Sequence, residues 1–208
     1  MDSLLIFGAS RGTGSYLLSY ALKLGIDCTV LVRSPEIATT LQTKGAKVVI
    51  GDACYAEDVN SVMEVAGSKA TIVCTLGGAK ANYEAQRQII DCAEQQGFSQ
   101  MLLVTSLGCG NTWPRLSDRA KKAFGHAVRE KTLAEQWLQT SQLAYCILRP
   151  GGLVDGEPLS TAQCYSSEQE VHGMVHRSDL ALIILSQLEQ LLQNTVYSVV
   201  DPNLKMSS

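Results

Sequence analysis

The chain has 208 residues, of which 46% are hydrophobic and 18% charged, a composition typical of one globular domain rather than of a disordered segment. A formal net charge of -3 gives no electrostatic reason to expect nucleic acid as a partner. No apolar run approaches the length that crosses a bilayer, and the first residues lack the basic region of a secretory signal. We therefore expect no membrane span and a cytoplasmic protein.

Strand-like and helix-like segments alternate from end to end, which is the pattern of a parallel sheet covered by helices on both faces. The sequence predicts an α/β fold, a doubly wound parallel sheet in three layers, as a single domain over residues 1–208. The predicted strands are 3–7, 28–32, 47–50, 70–75, 100–105, 143–148 and 196–200. The predicted helices are 14–24, one that begins at Ser34-Pro35, 56–65, 82–96, 118–140 with a break at Gly125 left open, and 180–192 after a Ser178-Asp179 cap.

A glycine-rich turn, Gly8 to Gly14, joins the first predicted strand to the first predicted helix. Backbone N–H groups at such a turn point into open space at the positive end of a helix dipole, which makes an anion site, most often for pyrophosphate. A β-carbon would block the turn or hold a phosphate away from the backbone. The order of strand, turn, helix and second strand favours this interpretation over an ordinary glycine turn.

Arg33 follows the second predicted strand, where NAD-selective proteins of this plan carry an acidic residue for the ribose hydroxyls. A guanidinium suits a 2′-phosphate instead, so the sequence favours NADP(H) as the cofactor. Arg11, inside the glycine-rich turn, is a second candidate for a phosphate contact. For both arginines the alternative is a solvated loop charge.

Ligands of open parallel sheets bind at the carboxyl ends of the strands, and two long loops are expected there as the substrate region, at about 107–117 and 151–177. The first is too irregular for a regular element. Its Trp113 either stacks on a flat substrate or pins the loop to the core. Seven singly placed cysteines predict reduced thiols, and the histidines His126, His172 and His176 lack zinc-site spacing, so we expect no metal.

Short motifs spread over nearly the whole chain carry a family resemblance. They are Gly8 to Gly14, Val30 to Arg33, Gly51-Asp52, Val104 to Ser106, Lys131 with Ala134-Glu135, Ile147 to Leu153, and His176 to Ala181. With these motifs the sequence resembles the atypical short-chain dehydrogenase/reductases, in the branch of biliverdin reductase B (flavin reductase) and the NmrA-like and plant NAD(P)-binding proteins. The resemblance implies a Rossmann-type fold and specifies the substrate poorly.

The resemblance also implies roles for single positions. The implied pyrophosphate site is formed by Gly8, Ser10, Arg11, Gly12, Thr13 and Gly14. Arg33 is implied at the 2′-phosphate, Asp52 and Ala53 at the adenine, Thr75, Leu76 and Gly77 at the nicotinamide ribose, and Pro150, Gly151 and Leu153 beside the nicotinamide ring. The implied catalytic residues, which also contact the cofactor, are Ser106 near the nicotinamide and Lys131 at its ribose hydroxyls. In the alternatives, Ser106 caps a turn and Lys131 is a solvated charge paired with Glu135.

Ala127 departs from the family pattern, because orthodox members carry their general-acid tyrosine four residues before the lysine. The neighbouring His126 would point about 100° away from that direction on a helix. Biliverdin reductase B also has a histidine in the loop after the sixth strand, where this chain has Gly151-Gly152. Ordinary ketone or alcohol chemistry is therefore disfavoured, and so is a nucleotide-sugar or isomerase activity.

Two functional hypotheses remain from the sequence. The first is an NADPH-dependent oxidoreductase that transfers hydride to a flat, electron-poor acceptor: a flavin, a linear tetrapyrrole such as biliverdin, or a quinone. The second is a non-catalytic NADP(H)-binding sensor or assembly factor that acts through a protein partner. In both cases a monomer or a dimer is expected.

Overall fold

The computed structural model describes residues 3–77 and 83–204. The strands in these ranges are β1 (Ser3–Phe7), β2 (Asp27–Val32), β3 (Lys47–Ile50), β4 (Thr71–Cys74), β5 (Gln100–Val104), β6 (Ala144–Pro150), β7 (Gly152–Val154), β8 (Gln163–Ser166), β9 (Met174–His176) and β10 (Thr195–Val200). The helices are α1 (Gly12–Lys23), α2 (Pro35–Thr43), α3 (Ala56–Ala66), α4 (Tyr83–Gln95), α5 (Asp118–Gln139) and α6 (Arg177–Gln187), with a 3₁₀ helix over Gly110–Arg115. The predicted start of α4 at Asn82 lies outside the described residues.

Eight strands form one sheet in the order β3-β2-β1-β4-β5-β6-β10-β8. Every neighbouring pair is parallel except β10 and β8, which run antiparallel. The order reverses between β1 and β4, so the loops that leave these two strands diverge and open a crevice at their carboxyl ends. This confirms the predicted Rossmann-type, doubly wound, three-layer single domain, with an antiparallel edge strand that the prediction lacked.

Both faces of the central strands are buried, which explains why β1 is a continuous apolar run. Leu4 and Ile6 face a core shared with α1, α2 and α6, whereas Leu5 and Phe7 face a core shared with α3, α4 and α5. All four side chains are essentially inaccessible to solvent. The helices thus form one layer on each side of the sheet and leave its carboxyl edge open.

The segment 151–177 is not a plain loop, and this corrects the prediction. It contains β7 and β9, which pair with each other in a separate parallel ribbon, and β8, which extends the main sheet beyond β10. These strands have three or four residues each, too short for a periodic pattern to stand out from the loop sequence.

Two further predictions about this half of the chain were wrong, since the loop expected at about 107–117 contains the 3₁₀ helix, and α6 begins at Arg177 with His176 at its N-cap. The break at Gly125, which the sequence left open, is absent, because α5 runs unbroken through this position. Gly125 lies against the Trp113 ring, and a β-carbon there would be 3.3 Å from it, a tight contact. Ser178 and Asp179 lie inside the first turn of α6, where tertiary bonds occupy their side chains.

Among the described residues, no helix combines the length and apolar character that a membrane crossing requires. The same ranges contain no cluster of three or more metal-ligating side chains.

Candidate active site

A cleft of about 960 Å³ lies at the carboxyl ends of the central strands. It is lined by Gly8, Ser10, Arg11, Gly12, Thr13, Arg33, Thr75, Leu76, Gly77, Val104, Thr105, Lys131, Leu153, Asp155 and Arg177. These residues come from the exits of β1, β2, β4 and β5, from α5, from the β7 region and from the start of α6. A crevice of this size at the reversal of strand order is the place where doubly wound sheets bind dinucleotides.

The glycine-rich turn leaves the N-terminus of α1 open toward this cleft. Arg11 is the N-cap residue, and its side chain makes no capping bond within the described chain. The first N–H groups of α1 therefore remain for a ligand. Gly8 and Gly12 have φ values of +96° and +58°, in the region that favours glycine. Gly14 serves packing instead, because a β-carbon there would overlap the carbonyl oxygen of Gly8.

Thr13 adds an unsatisfied polar group to the same end of the cleft. The residue is 7% exposed, and its Oγ1 has no hydrogen-bond partner in the part of the chain that the structure describes. Leaving a buried hydroxyl unpaired costs roughly 1–3 kcal/mol, so the position suits a ligand with acceptor oxygens. Together with the open N–H groups of α1, this hydroxyl fits the phosphates of a dinucleotide.

Arg33 reaches the outer end of the cleft from the exit of β2. Its side chain is 79% exposed, and Nη1 lies 3.7 Å from Oδ2 of Asp52. Such a long, solvated ion pair contributes little energy, so the guanidinium can turn to a ligand. Asp52 itself does not line the cleft, and its backbone N–H donates to Asp58 at 2.8 Å. Ala53 is buried in the core against α3.

Lys131 of α5 occupies the inner end of the cleft. Its Nζ donates a hydrogen bond to the Thr105 carbonyl oxygen at 3.0 Å and lies 3.5 Å from the position of a β-carbon on Gly77. Burial lowers the pKa of this ammonium group, although the nearby acidic groups Cys109, Cys74 and Glu135 oppose the shift. Lys131 therefore points into the cleft, and its hydrogen bond goes to Thr105 rather than to Glu135.

Glu135 instead forms a buried ion pair with Arg149. The Oε1 to Nε distance is 3.0 Å and the Oε2 to Nη2 distance is 2.7 Å, a two-pronged contact between α5 and β6. Oε1 also accepts a hydrogen bond from the Thr105 hydroxyl at 2.6 Å. The pair thus fixes Thr105, whose carbonyl oxygen holds Lys131. Glu135 and Arg149 both lie in the family motifs, but the spacing of these motifs in the sequence does not reveal that the two side chains meet.

The same network joins the two predicted substrate loops. Arg149 Nη1 donates to Asn111 at 2.6 Å. Asn111 donates in turn to Glu168 at 3.0 Å, and Arg115 donates to three backbone carbonyl oxygens of residues 167–169. The 3₁₀ helix is therefore tied to the turn between β8 and β9.

Several predicted site residues lie next to the cleft without lining it. Ser106 is half-buried after β5, where Val104 and Thr105 take the lining positions. Pro150 ends β6 in the interior, and a β-carbon on Gly151 would overlap the carbonyl oxygen of Gly173, so this glycine permits close packing of the β7–β9 ribbon. Leu153, two residues further along the chain in β7, does line the cleft.

Two side chains considered for chemistry face away from the cleft. Trp113 packs on α5, 3.3 Å from the β-carbon position of Gly125 and with the Lys121 ammonium 5.8 Å from its ring centroid. Of the two interpretations of Trp113, these contacts favour the one in which the ring anchors the loop. His126 is 78% exposed and faces Glu130 on α5, with Nδ1 and Oε1 3.4 Å apart.

Asp155 and Arg177 line the cleft and were not assigned a role from the sequence. Arg177 lies within the His176 to Ala181 motif, so the motif marked the place. Nothing in its spacing showed that α6 brings this arginine to the glycine-rich turn.

The fold and the cleft define a dinucleotide-binding protein of the doubly wound class. A family model described as NAD(P)H-binding matches residues 8–191, and the chain belongs to that family. Its fold is that of NAD(P)H-binding reductases.

Two of the solved structures that match over nearly the whole chain are both of ChuY. ChuY from Escherichia coli O157:H7, described as an anaerobillin reductase, is 48% identical, with a TM-score of 0.95 and coverage of 99% of this chain and 100% of ChuY. ChuY from E. coli CFT073 is 46% identical with a TM-score of 0.91 and the same coverage.

Among curated proteins with similar sequences, the chloroplastic protein TIC 62 of Pisum sativum is 25% identical over 179 residues, which are 73% of this chain. The chain spans only 33% of that relative's length.

Proposed function

We propose that this protein is an NADPH-dependent reductase whose acceptor is a linear tetrapyrrole. The observation that carries the proposal is the match to ChuY, described as an anaerobillin reductase, over practically the full length of both chains at 48% identity. A bilin is flat, conjugated and electron-poor, which is the acceptor class that a site without a general-acid tyrosine suits. Ala127 occupies the tyrosine position here.

The cofactor side of the proposal follows from the polar groups of the cleft. The open N–H groups of α1 and the Thr13 hydroxyl suit the pyrophosphate, and Arg33 suits the 2′-phosphate that distinguishes NADPH from NADH. Lys131 has two ammonium protons beyond the one that it gives to Thr105, and these suit the ribose hydroxyls near the nicotinamide. The bound dinucleotide supplies the hydride.

The protein's own contribution to the reaction is then to position the two reactants and to exclude water. The Glu135–Arg149 pair and Thr105 hold Lys131 rigidly, while Val104 and Leu153 provide apolar walls at the inner end. Fixing the two reactants in one orientation supplies a large part of a rate enhancement when the acceptor is already electron-poor. Lys131 is an ionisable side chain at this end of the cleft, so the product's proton would come from Lys131 or from water.

Steady-state kinetics test the proposal. Oxidation of NADPH is followed at 340 nm with four separate acceptors: biliverdin, anaerobilin, FMN and a quinone. We expect the bilins to give the highest kcat/KM and NADH to be a poorer donor than NADPH. Turnover no faster than the protein-free reaction with every acceptor would reject it.

The alternative function is an NADP(H)-binding sensor or assembly factor without chemistry. Ala127 supports it, because a sensor has no need of the acid. This alternative predicts tight binding of both NADPH and NADP⁺, no turnover with any of the four acceptors, and a protein partner that co-purifies.

A further inference from the structure

Arg177 lies directly over the glycine-rich turn. Its Cδ and Nε are 3.5 Å and 3.6 Å from the position of a β-carbon on Gly12, so the arginine stem packs at van der Waals distance from this turn. Gly12 belongs to the turn whose N–H groups form the anion site, whereas Arg33 stands at the exit of a different strand. Arg177 therefore faces the centre of the cofactor cleft rather than its 2′-phosphate end.

The contacts of Arg177 leave most of its guanidinium for a ligand. Its side chain is 28% exposed, and within the described ranges its one hydrogen bond runs from Nη1 to Oδ1 of Asp155 at 2.9 Å. Asp155 is 78% exposed, so this pair is weak in water. An arginine has five N–H donors in a planar fork, and four of them remain.

The Arg177–Asp155 pair is also not needed to hold the chain around it. The segment after Asp155 is fixed to α6 by the Ser178 hydroxyl, which donates to the Gly156 carbonyl oxygen at 2.8 Å. The buried Asp179 carboxylate accepts the backbone N–H groups of Leu159 and Ser160 at 2.9 Å and 2.7 Å. Removing Arg177 should therefore leave this segment in place.

We propose that Arg177 binds the cofactor's pyrophosphate from the side opposite the glycine-rich turn, with Asp155 as a weak, exposed counter-ion that the phosphates replace. The pyrophosphate would then lie between the N–H groups of α1 and a planar arginine fork, a combination of donors that suits two adjoining phosphates. This inference rests on the cofactor placement of the proposed function and not on the choice of acceptor.

If Arg177 is an anion ligand, substitutions at Arg177 and at Asp155 should affect the affinity for the dinucleotide differently. Arg177→Ala should weaken binding of NADPH and of NADH by the same factor, about 10- to 100-fold, since both contain the pyrophosphate and the lost bonds are charge-assisted. Asp155→Asn removes a negative charge from the cleft and should leave the affinity unchanged or raise it about two- to threefold. A purely structural ion pair predicts instead that both substitutions weaken binding alike.

The experiment is calorimetric titration of the purified full chain with each dinucleotide, without an acceptor. Arg177→Gln keeps the packing on Gly12 and replaces the alanine variant if that variant folds poorly. Arg87→Ala is the control because it removes an arginine from another ion pair outside the cleft.

Equal losses of affinity for the two dinucleotides with Arg177→Ala, and no loss with Asp155→Asn, support the proposal. An unchanged affinity, a loss confined to NADPH, or parallel losses in Arg177→Ala and Asp155→Asn overturns it. Failure to reduce a bilin would contradict the proposed function and leave these binding results as they stand.

Discussion

At the scale of single residues, Arg33 decides the cofactor preference in our account. It is solvated and only loosely paired with Asp52, so its interaction with a 2′-phosphate would not require breaking a strong native contact. Arg33→Ala should weaken NADPH binding about tenfold and leave NADH binding within twofold. Titration of both dinucleotides checks this, and equal weakening of the two would contradict the 2′-phosphate assignment.

Lys131 gives a prediction that depends on pH. In the proposed function its ammonium form donates to the ribose hydroxyls, so that contribution to cofactor binding is present below its pKa and is lost as pH rises through it. Because burial lowers this pKa from the usual 10.5, the loss should begin at a lower pH than for a solvated lysine. We expect the affinity for NADPH to fall on the alkaline side in the native protein.

Lys131→Met is the matched variant, since methionine keeps an unbranched apolar stem and has no charge to lose. It should bind NADPH about tenfold more weakly at neutral pH, with no alkaline decline attributable to this side chain. Binding curves recorded between pH 7 and 10 make the comparison. A parallel alkaline decline in the two proteins would show that another group is responsible.

At the scale of elements, the contact between β1 and α1 depends on Gly14. A β-carbon there would overlap the Gly8 carbonyl oxygen and approach Oγ1 of Thr75, so α1 would have to move away from the sheet. Gly14→Ala should lower the free energy of unfolding by about 1–3 kcal/mol and abolish NADPH binding.

Gly25→Ala is the control for that substitution. Gly25 ends the turn after α1 with φ of +76° and has no atom within 4 Å of its β-carbon position. Only backbone strain opposes alanine there, so we expect a loss of about 1 kcal/mol and unchanged cofactor affinity. Denaturant unfolding and calorimetry of the two variants separate steric from conformational effects, and equal binding by both would refute the role given to Gly14.

The buried Glu135–Arg149 pair is a polar contact between α5 and β6 within a mainly apolar interface. Removing one partner leaves the other charge buried without compensation, so Glu135→Leu should destabilise the fold by about 3–5 kcal/mol. The double variant Glu135→Leu/Arg149→Met should recover much of that loss. The exposed Asp27–Lys47 pair provides the control, and Asp27→Asn should change stability by less than about 1 kcal/mol. A double variant no more stable than Glu135→Leu would contradict this account.

At the scale of the whole molecule, the alternation of strands and helices was enough to predict the fold. Central strands such as β1 are buried on both faces and therefore appear as apolar runs, and the glycine-rich turn marks the first crossover. Strands β7, β8 and β9 were missed because each is short and is stabilised by partners distant in sequence. The antiparallel pairing of β8 with β10 is likewise a tertiary property.

The candidate site was predictable where a residue follows directly from a strand, as Arg33 and Thr75 do. It was not predictable where α6 or α5 brings a side chain across the sheet. Arg177 reaches Gly12 from a position 165 residues away in the chain, and the ion pair of Glu135 with Arg149 depends on the register of α5 over β6. Whether Ser106 acts in catalysis stays a prediction, since it lies beside the cleft lining.

The most direct test of the central claim is transfer of label in a single turnover. NADPH carrying deuterium at C4 of the nicotinamide, in each of its two stereochemical forms, is mixed with the protein and a bilin, and the product is analysed by mass spectrometry. Our account predicts one deuterium in the reduced bilin from one stereochemical form and none from the other. A reduced bilin without deuterium from either form, or no reduced bilin at all, would contradict it.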